Sequence, residues 1–292
     1  FLWFYGFFIW FIKRQKKLDA NTDKFSVLIP VYFKDDPIFF NKALHSIFTI
    51  QTAKPSEIII VVDGPVGEGL QLVIDEWKNL KGELVNICQL PMNIGCGKAL
   101  QKGLKECKFE LVARMDSDDI SRENRFEDQL SLFAAEPDLV ICGSNVSEFN
   151  DDSEHSLGER KLPERSVEIS KFAIYRNPIN HPTVMFKRKQ IMEVGGYLDM
   201  PFFEDYYLWI RCIIAGFAFK NIQKNLVHMR ADKSHLSRRF GLNYAKHEYI
   251  FLNRIREIRF LNFGTFFLLV LTRCSIRLAP KSLIKKIYSI LR

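Results

Sequence analysis

Short, almost wholly apolar runs alternate with longer amphipathic segments through the first half of the chain. The apolar runs are Phe25–Tyr32, Glu57–Asp63, Glu83–Leu90, Glu110–Met115 and Leu139–Cys142. The segments between them space their apolar residues three or four positions apart, as helices do: Pro37–Gln51, Gly69–Leu80, Gly97–Cys107 and Ser121–Ala135, the last with Ser121 as its N-cap. Such alternation is typical of a parallel sheet covered on both faces. We therefore predict an α/β fold with a mainly parallel sheet sandwiched by helices.

The pattern changes after Gly143. Residues 144–180 are polar and predict loops. Beyond them the sequence predicts a strand over His181–Phe186, a helix from Phe202 to Ala215, and short strands over Phe217–Ile222 and Leu226–Arg230. The residues that follow are basic and amphipathic and predict a helical extension that faces a membrane. We divide the chain into an N-terminal segment 1–24, a domain 25–235 with halves 25–143 and 144–235, and a helical tail 236–292.

Positive charge is concentrated at the two ends, within a formal net charge of +8. Residues 236–292 contain 12 Lys and Arg against 2 Glu, and the apolar stretch Phe1–Ile12 is followed at once by a cluster of four Lys and Arg. A nucleic-acid binder more often carries positive charge on its folded face. Basic residues interleaved with Phe, Leu and Ile instead indicate an anionic membrane surface. The alternative for the tail is a helix packed on the sheet with a solvated charged face.

The first apolar stretch, Phe1–Ile12, is too short to span a bilayer, which takes about 20 residues. It is either an interfacial anchor or part of a longer spanning helix, and a signal peptide would carry its charge before the apolar residues. If it spans, the positive flank places the rest of the chain in the cytoplasm. We expect the protein at the cytoplasmic face of the cell membrane. The six cysteines form no Cys-x-x-Cys pair and indicate reduced, buried thiols, in agreement with that compartment.

Three carboxylates, Asp116, Asp118 and Asp119, follow the apolar run Glu110–Met115. Alternate side chains of an extended backbone share a face, so Asp116 and Asp118 are predicted to point the same way. Two like charges that close repel each other unless a cation lies between them, and carboxylate oxygens suit Mg²⁺ or Mn²⁺. The alternative is a surface turn or a helix N-terminus, where Asp and Ser are also common.

Two further stretches carry candidate chemistry. Asn93–Leu100 has Gly95, Gly97 and Lys98 between a predicted strand and helix, but it fits neither the dinucleotide fingerprint nor the P-loop pattern. It remains a candidate anion site at a helix N-terminus. Glu204-Asp205 begins a predicted helix, where acids are common because they match the helix dipole. Its aromatic neighbours also predict partial desolvation, which raises the basicity of a carboxylate, as a general base requires.

Six motifs occur in one order along the chain: Ile29-Pro-Val-Tyr32, Val61-Val-Asp63-Gly-Pro65, Asn93-x-Gly95-x-Gly97-Lys98-Ala-Leu100, Ala113-Arg-Met-Asp116-Ser-Asp118-Asp119, His181-Pro-Thr-Val-Met185 and Glu204-Asp205-Tyr-x-Leu-Trp209. Together they resemble the family 2 glycosyltransferases with the GT-A fold, in particular bacterial enzymes of surface-polysaccharide assembly. The resemblance covers about residues 25–235. It implies an inverting transfer of a sugar from a nucleotide sugar, usually a UDP-sugar, with a divalent metal.

The resemblance also implies roles for individual residues. The nucleotide would be bound by Pro30, Tyr32, Asp63, Asn93, Lys98, Asp116 and Arg230, with Asp63 accepting from the uracil ring. Asp118 would be the main ligand of Mg²⁺ or Mn²⁺, beside Asp116. Asp205 would be the catalytic base, with Glu204 next to it. His181 and Trp209 fall in family motifs as candidates for contact with donor or acceptor. Arg230 with Ser234, or Arg238-Arg239, resembles a mobile segment that closes over the diphosphate.

One departure from related enzymes narrows the expected reaction. The Gln-x-x-Arg-Trp motif of processive synthases is absent from the sequence. We therefore expect one sugar to be added per encounter to a lipid-linked or saccharide acceptor. Two alternatives stay open: a metal-dependent sugar nucleotidyltransferase, although the segment after Tyr32 lacks the Gly-rich loop such enzymes use, and a non-catalytic membrane scaffold with the same fold.

Overall fold

The computed structural model describes residues 24–150, 157–231 and 240–278. The strands in these residues are β1 Phe25–Val31, β2 Glu57–Val62, β3 Val85–Gln89, β4 Leu111–Arg114, β5 Ile120–Ser121, β6 Leu139–Phe149, β7 Gly158–Arg160, β8 Met185–Lys187 and β9 Ala218–Arg230. The helices are α1 Pro37–Phe48, α2 Glu68–Lys81, α3 Cys96–Glu106, α4 Arg125–Ala135, α5 Ser166–Phe172, α6 Arg188–Glu193, α7 Glu204–Ile214, α8 Leu242–Glu257, α9 Phe263–Leu269 and α10 Ser275–Leu278. Short 3-10 turns cover Gly82–Leu84 and His181–Thr183, and a π-helical turn, Val270–Cys274, joins α9 to α10.

The first half of the sheet is parallel, as the sequence predicts. Strands β3, β2, β1 and β4 lie side by side in that order, and all three of their pairings are parallel. The side chains of β1 alternate between the two faces: Phe25, Val27 and Ile29 pack toward α1, α2 and α4, whereas Leu28 packs toward α3 and α7. Because all four strands run the same way, their carboxyl ends meet at one edge of the sheet, where ligands of such folds bind.

The second half of the sheet is mixed. Strand β8 pairs antiparallel with both β4 and β6, while the long strands β6 and β9 run parallel to each other. The predicted loop over 144–180 is therefore wrong in part, because β6 continues to Phe149 and α5 lies within it. The two short strands predicted over 217–230 are one strand, β9, whose polar middle is accommodated by register shifts against β6 at Ser144–Val146.

Two local predictions are wrong, one because of a partner distant in sequence and one because of a proline within the segment. Ser121 does not cap a helix: Ile120 and Ser121 form β5 by pairing with His228 and Val227, and helix α4 begins at Arg125 after Asn124. The predicted strand over His181–Phe186 begins instead as a 3-10 turn that contains Pro182. Proline lacks a backbone N–H and fixes φ, so the ladder resumes only at Met185.

The described part of the tail packs against helix α7. The ring of Phe251 in α8 stacks on Phe203 with centroids 4.7 Å apart and planes tilted by 10°. The buried carboxylate of Glu248 is bound by Arg273 at 2.5 Å and by Arg277 at 2.6 Å, which ties α8 to the last two turns. The described part of the tail, residues 240–278, is thus mainly helical as predicted. No helix in the described ranges has the length and apolarity needed to cross a bilayer.

Several predictions concern residues that the structure does not describe. The N-terminal segment 1–23, the loop at 151–156, the residues Ser234 and Arg238-Arg239, and the amphipathic stretch 279–292 all lie outside the described residues. All six cysteines are free thiols. Cys107, Cys142 and Cys212 are buried as predicted, whereas Cys96 is exposed.

Candidate active site

The carboxylate turn, residues 116–119, lies at the carboxyl end of β4. Asp116 and Asp118 are half-buried, while Ser117 and Asp119 between and after them are buried. This alternation is the one the sequence predicts for an extended backbone. The buried Asp119 accepts the backbone N–H of Arg230 at 2.8 Å through Oδ1, which links the turn to the end of β9. Asp116 and Asp118 are left at the accessible side of the turn.

Negative charge accumulates in this turn. Burial and the neighbouring carboxylate of Asp116 raise the pKa of Asp118 to about 6. The same two causes, with Asp118 added, hold the pKa of Asp119 well above its usual range. Asp119 Oδ2 is buried and has no hydrogen-bond partner among the described residues. The site would therefore gain stability from a cation close to these three carboxylates.

The donor set fits a hard divalent cation that also binds a phosphate. Carboxylate oxygens are the ligands that Mg²⁺ and Mn²⁺ prefer. Within the described ranges, no group of three or more His, Cys, Asp and Glu side chains is placed to hold a metal by itself. Mg²⁺ in nucleotide sites is typically held by only one or two carboxylates together with substrate phosphates. Asp118 and Asp116 match that arrangement.

A buried arginine, Arg114, balances part of this charge. Its side chain is 3% exposed and forms an ion pair with Asp116. Burial by itself lowers the pKa of Arg114, but the carboxylate of Asp116 raises it above the usual range. The Arg114 charge also affects the pKa values of Cys96, His181 and Glu204, so these side chains surround one place. Arg114 lies within the motif Ala113–Asp119, but no role was predicted for it.

The acid pair at the start of α7 belongs to the same crevice. Burial, then the charge of Asp205, raises the pKa of Glu204 to about 7, and Asp116 contributes in the same direction. The carboxylate of Asp116 is therefore close enough to Glu204 for the two charges to interact. Glu204 also packs against Gly97 in α3, where a Cβ would come within 2.9 Å of the Glu204 side chain. The desolvation that the sequence predicts therefore acts on Glu204.

Asp205 is held at both carboxylate oxygens. Oδ2 accepts a hydrogen bond of 2.6 Å from Nδ2 of Asn177, and Oδ1 accepts the backbone N–H of Tyr206 at 2.7 Å. The aromatic rings of Phe203 and Tyr206 on either side are buried against α8. Asn177 was not predicted as a site residue, because the polar segment that contains it carries no periodic pattern.

The predicted nucleotide residues at the ends of β1 and β2 lie at the same edge. Pro30 is in β1, in register with Val61 of β2. Tyr32 directly follows β1 and is half-buried, and its backbone N–H donates to Asp35 Oδ2 at 3.0 Å. Asp35 was not predicted, yet it also accepts a 2.8 Å hydrogen bond from the hydroxyl of Ser117 within the carboxylate turn. Burial raises the pKa of Asp35 to about 7.

Asp63 organises the loop before α3. Its carboxylate accepts the backbone N–H groups of Ile94 at 2.7 Å and Gly95 at 3.1 Å. Asn93 Nδ2 donates to the Asp63 carbonyl oxygen at 3.2 Å. An ionised carboxylate has about four acceptor sites, so these two bonds leave Asp63 capacity for a ring N–H of a base. The side chain of Lys98, in the first turn of α3, forms a 2.7 Å ion pair with Asp199 at the surface.

His181 is half-buried like the two acids of α7, whereas Trp209 lies deeper. His181 Nε2 is 2.8 Å from the hydroxyl of Tyr197, and its ring meets Trp209 edge to face at 6.1 Å. Burial, with the charge of Arg114, holds the pKa of His181 well below its usual range, so the imidazole is neutral. Trp209 is fully buried. It can therefore influence a bound substrate only through the residues that cover it.

Arg230 ends β9 beside the carboxylate turn. Its Nε donates to the carbonyl oxygen of Asp118 at 3.0 Å, and its guanidinium lies 3.6 Å from the ring centroid of Phe39. The charge of Arg230 favours ionised Asp118. The positively charged side chain of Arg230 therefore lies beside Asp118, and the resemblance implies that Arg230 contacts the diphosphate.

The sequence model of Glycosyl transferase family 2 matches residues 26–195, more than half of the chain. The chain belongs to glycosyl transferase family 2. Among the curated relatives of this glycosyltransferase is the UDP-Gal:alpha-D-GlcNAc-diphosphoundecaprenol beta-1,3-galactosyltransferase of Escherichia coli, 39% identical over 93% of this chain and 97% of that protein. Another is the amylovoran biosynthesis glycosyltransferase AmsE of Erwinia amylovora, 37% identical over 90% of this chain and 97% of the relative.

Solved structures show the same fold at low sequence identity. TarS of S. aureus in complex with UDP-GlcNAc has a TM-score of 0.60 and 18% identity, covering 80% of this chain and 66% of the TarS chain. The mannosyltransferase PcManGT of Pyrobaculum calidifontis, in complex with GDP-Man and Mn²⁺, has a TM-score of 0.60 and 17% identity, covering 85% and 67% of the two chains. The predicted GT-A fold is confirmed. The predicted family is confirmed as well.

Proposed function

We propose that this enzyme transfers one sugar from a UDP-sugar to a lipid-linked saccharide with inversion at the anomeric carbon, as a step of surface-polysaccharide assembly. The observation that carries the proposal is the meeting of two acidic groups in one crevice. The carboxylate turn after β4 suits a metal-bound diphosphate, and the acid pair of α7 suits a base. The curated relatives, one of them named for UDP-Gal and a diphosphoundecaprenol acceptor, support this choice of substrates.

The proposed reaction is a single displacement. The acceptor hydroxyl is a weak nucleophile at neutral pH, so Asp205 accepts its proton while the hydroxyl oxygen forms a bond to the anomeric carbon. The bond from that carbon to the diphosphate oxygen breaks, and UDP leaves with the electron pair. Asp118 and Asp116 would hold Mg²⁺ or Mn²⁺, which when bound neutralises charge on the leaving diphosphate. Arg230 supplies a further positive charge at the same place.

The remaining assignments follow from this placement. Asp63, with Pro30 and Tyr32 at the neighbouring strand ends, lies where a nucleoside would bind, and Asn93 borders the same loop. Glu204, whose pKa is about 7, carries a proton in part of the molecules at neutral pH. Lys98 would reach the nucleotide only after leaving Asp199.

A donor panel tests the substrate class. We expect the enzyme to release UDP from UDP-galactose in the presence of Mn²⁺ and a lipid diphosphate carrying GlcNAc. The rate of GDP release from GDP-mannose should be at least about tenfold lower. Chelation of the metal should abolish the reaction, because the carboxylate turn cannot stabilise a diphosphate without a cation. Metal-independent release, or a preference for GDP-mannose, would contradict the proposal. A complete lack of metal-dependent UDP binding would favour a non-catalytic scaffold.

We also propose that the enzyme binds the anionic cytoplasmic face of the membrane through α9 and α10. Phe263, Phe267, Leu271 and Leu278 of this helical stretch are 70%, 55%, 51% and 53% exposed. The exposed basic residues of α8 and the turn after it, Lys246, Arg254 and Arg259, supply the positive charge that anionic lipids attract. An acceptor carried on a lipid would then reach the crevice from the surface to which the enzyme is bound.

Vesicle flotation tests the membrane surface. We expect the triple variant Phe263→Ser/Phe267→Ser/Leu271→Ser to lose most of its flotation with phosphatidylglycerol vesicles, because burial of such side chains contributes about 1.5–3 kcal/mol each. The double variant Leu72→Ser/Leu80→Ser is the control, because these residues of α2 are equally exposed, at 69% and 68%. Equal flotation of both variants would contradict the proposal that α9 and α10 bind the membrane. Deleting the tail would be a poorer test, because α8 packs on α7.

A further inference from the structure

The segment that joins α5 to the turn at His181 approaches the catalytic helix α7. Asn177 in this segment donates its side-chain N–H to Asp205 Oδ2 at 2.6 Å, a short distance for a bond between an amide and a carboxylate. The other end of the same amide is weakly engaged, since Oδ1 of Asn177 is 3.4 Å from the backbone nitrogen of Ile179. The contact to Asp205 is therefore the shorter of these two hydrogen bonds of the Asn177 side chain.

The sheet fixes the position of this segment. The carbonyl oxygen of Pro178 accepts a 3.1 Å hydrogen bond from the fully buried Asn221 of β9. Nδ2 of Asn180 donates to the carbonyl oxygen of Ser144 in β6 at 2.9 Å. Pro178 also restricts the backbone of the residue before it, Asn177, to extended conformations. The amide of Asn177 is thus fixed by β6 and β9, which do not belong to the helix that carries Asp205.

A general base must present its carboxylate in one orientation to the acceptor hydroxyl. A misplacement of about 1 Å at a reacting group can cost about 100-fold in rate. Asp205 lies in the first turn of α7, where its carboxylate accepts the backbone N–H of Tyr206. The side chain of Asn177, which belongs to a different element, donates a second hydrogen bond and so restricts rotation of the Asp205 carboxylate. An amide N–H also favours the ionised carboxylate, which is the form that accepts a proton.

We propose that Asn177 is a positioning residue that fixes the carboxylate of Asp205 for proton abstraction. The proposal rests on the proposed function, because it needs Asp205 to be the base. Asn177 does not touch the donor in this role. Its loss should therefore lower kcat and leave the KM for the nucleotide sugar almost unchanged.

Steady-state kinetics of three Asn177 variants test the proposal. We expect Asn177→Ala and Asn177→Asp to lower kcat about 10- to 100-fold, because both remove the N–H donor. Asn177→Ser keeps a donor and should recover part of the rate. The matched control is Asn225→Ala: Asn225 makes the same kind of bond, 2.7 Å from its Nδ2 to Glu159 Oε1, at an exposed place. This control should keep the wild-type kcat.

A double variant separates positioning from a general structural effect. In the Asp205→Asn background, Asn177→Ala should cause little further loss, because the two groups act as one unit. A kcat for Asn177→Ala within twofold of wild type would overturn the proposal. So would an additive loss in the double variant, or a loss that follows a fall in Tm and is not recovered by Asn177→Ser. If Asp205→Asn itself stays active, the assignment of the base is wrong; if it is inactive while Asn177→Ala is normal, only the positioning role is wrong.

Discussion

Replacement of Asp205 by Asn is expected to lower kcat by about 10²- to 10⁴-fold, the range that general acid–base catalysis contributes. The Kd for UDP should stay unchanged, because Asp205 lies on α7, whereas the nucleotide residues lie at the ends of β1, β2, β4 and β9 and around the start of α3. The amide of Asn has almost the size of the carboxylate, so the packing of α7 should persist. Initial rates with a lipid-linked acceptor and calorimetric titration with UDP and Mn²⁺ measure the two quantities.

The neighbouring acid provides a matched comparison for this variant. Glu204→Gln makes the same change of carboxylate to amide one residue away, and Glu204 has the pKa of about 7 that a base at neutral pH could also use. We expect a smaller loss for Glu204→Gln than for Asp205→Asn, because Asp205 is the acid held by a hydrogen bond from a separate segment. A larger loss for Glu204→Gln would transfer the role of base to Glu204.

Replacement of Asp118 by Ala is expected to abolish the response to Mn²⁺ and to lower kcat/KM by about 10²- to 10³-fold, the size of effect seen when a group that stabilises developing charge is removed. The reason is that Asp118 is a half-buried carboxylate that interacts with both Asp116 and Arg230, where the diphosphate would leave. Titration of activity against Mn²⁺ concentration measures the effect. The control is Asp75→Ala on the exposed side of α2, which should be silent.

Thermal stability gives this second variant an independent readout. Burial and Asp116 already disfavour the ionised form of Asp118, since they raise its pKa to about 6. Removing the carboxylate relieves repulsion within the turn, so the Tm of Asp118→Ala without metal should equal or exceed that of the wild type. A large fall in Tm would show that Asp118 stabilises the fold, and a rate loss would then say little about metal binding.

The parallel half of the fold was predictable because its signals are local. Each of β1, β2 and β4 is an apolar run, and each is followed within a few residues by a polar group that the fold brings to one edge. Asp63, Asp116 and Asp118 could therefore be named from strand ends alone. The alternation of exposure from Asp116 to Asp119 likewise follows from the geometry of an extended chain.

The parts that failed depend on partners distant in sequence. Strand β5 exists because Ile120 pairs with His228, more than a hundred residues away, and no window around Ser121 contains that information. The same is true of Asn177, whose partner Asp205 belongs to another element. Arg114 is a charged residue at the end of a buried strand, and only the ion pair with Asp116 explains its place. Asp35 could have been suspected from its position just after β1, at the same edge as Asp63.

The most direct measurement is a crystal structure of the protein with UDP, Mn²⁺ and a slowly reacting donor sugar. We predict that the metal binds Asp118, that the uracil lies by Asp63, and that the anomeric carbon faces the carboxylate of Asp205 across the crevice. UDP bound at another surface, or a donor sugar that points away from Asp205 and Glu204 alike, would contradict the proposed reaction.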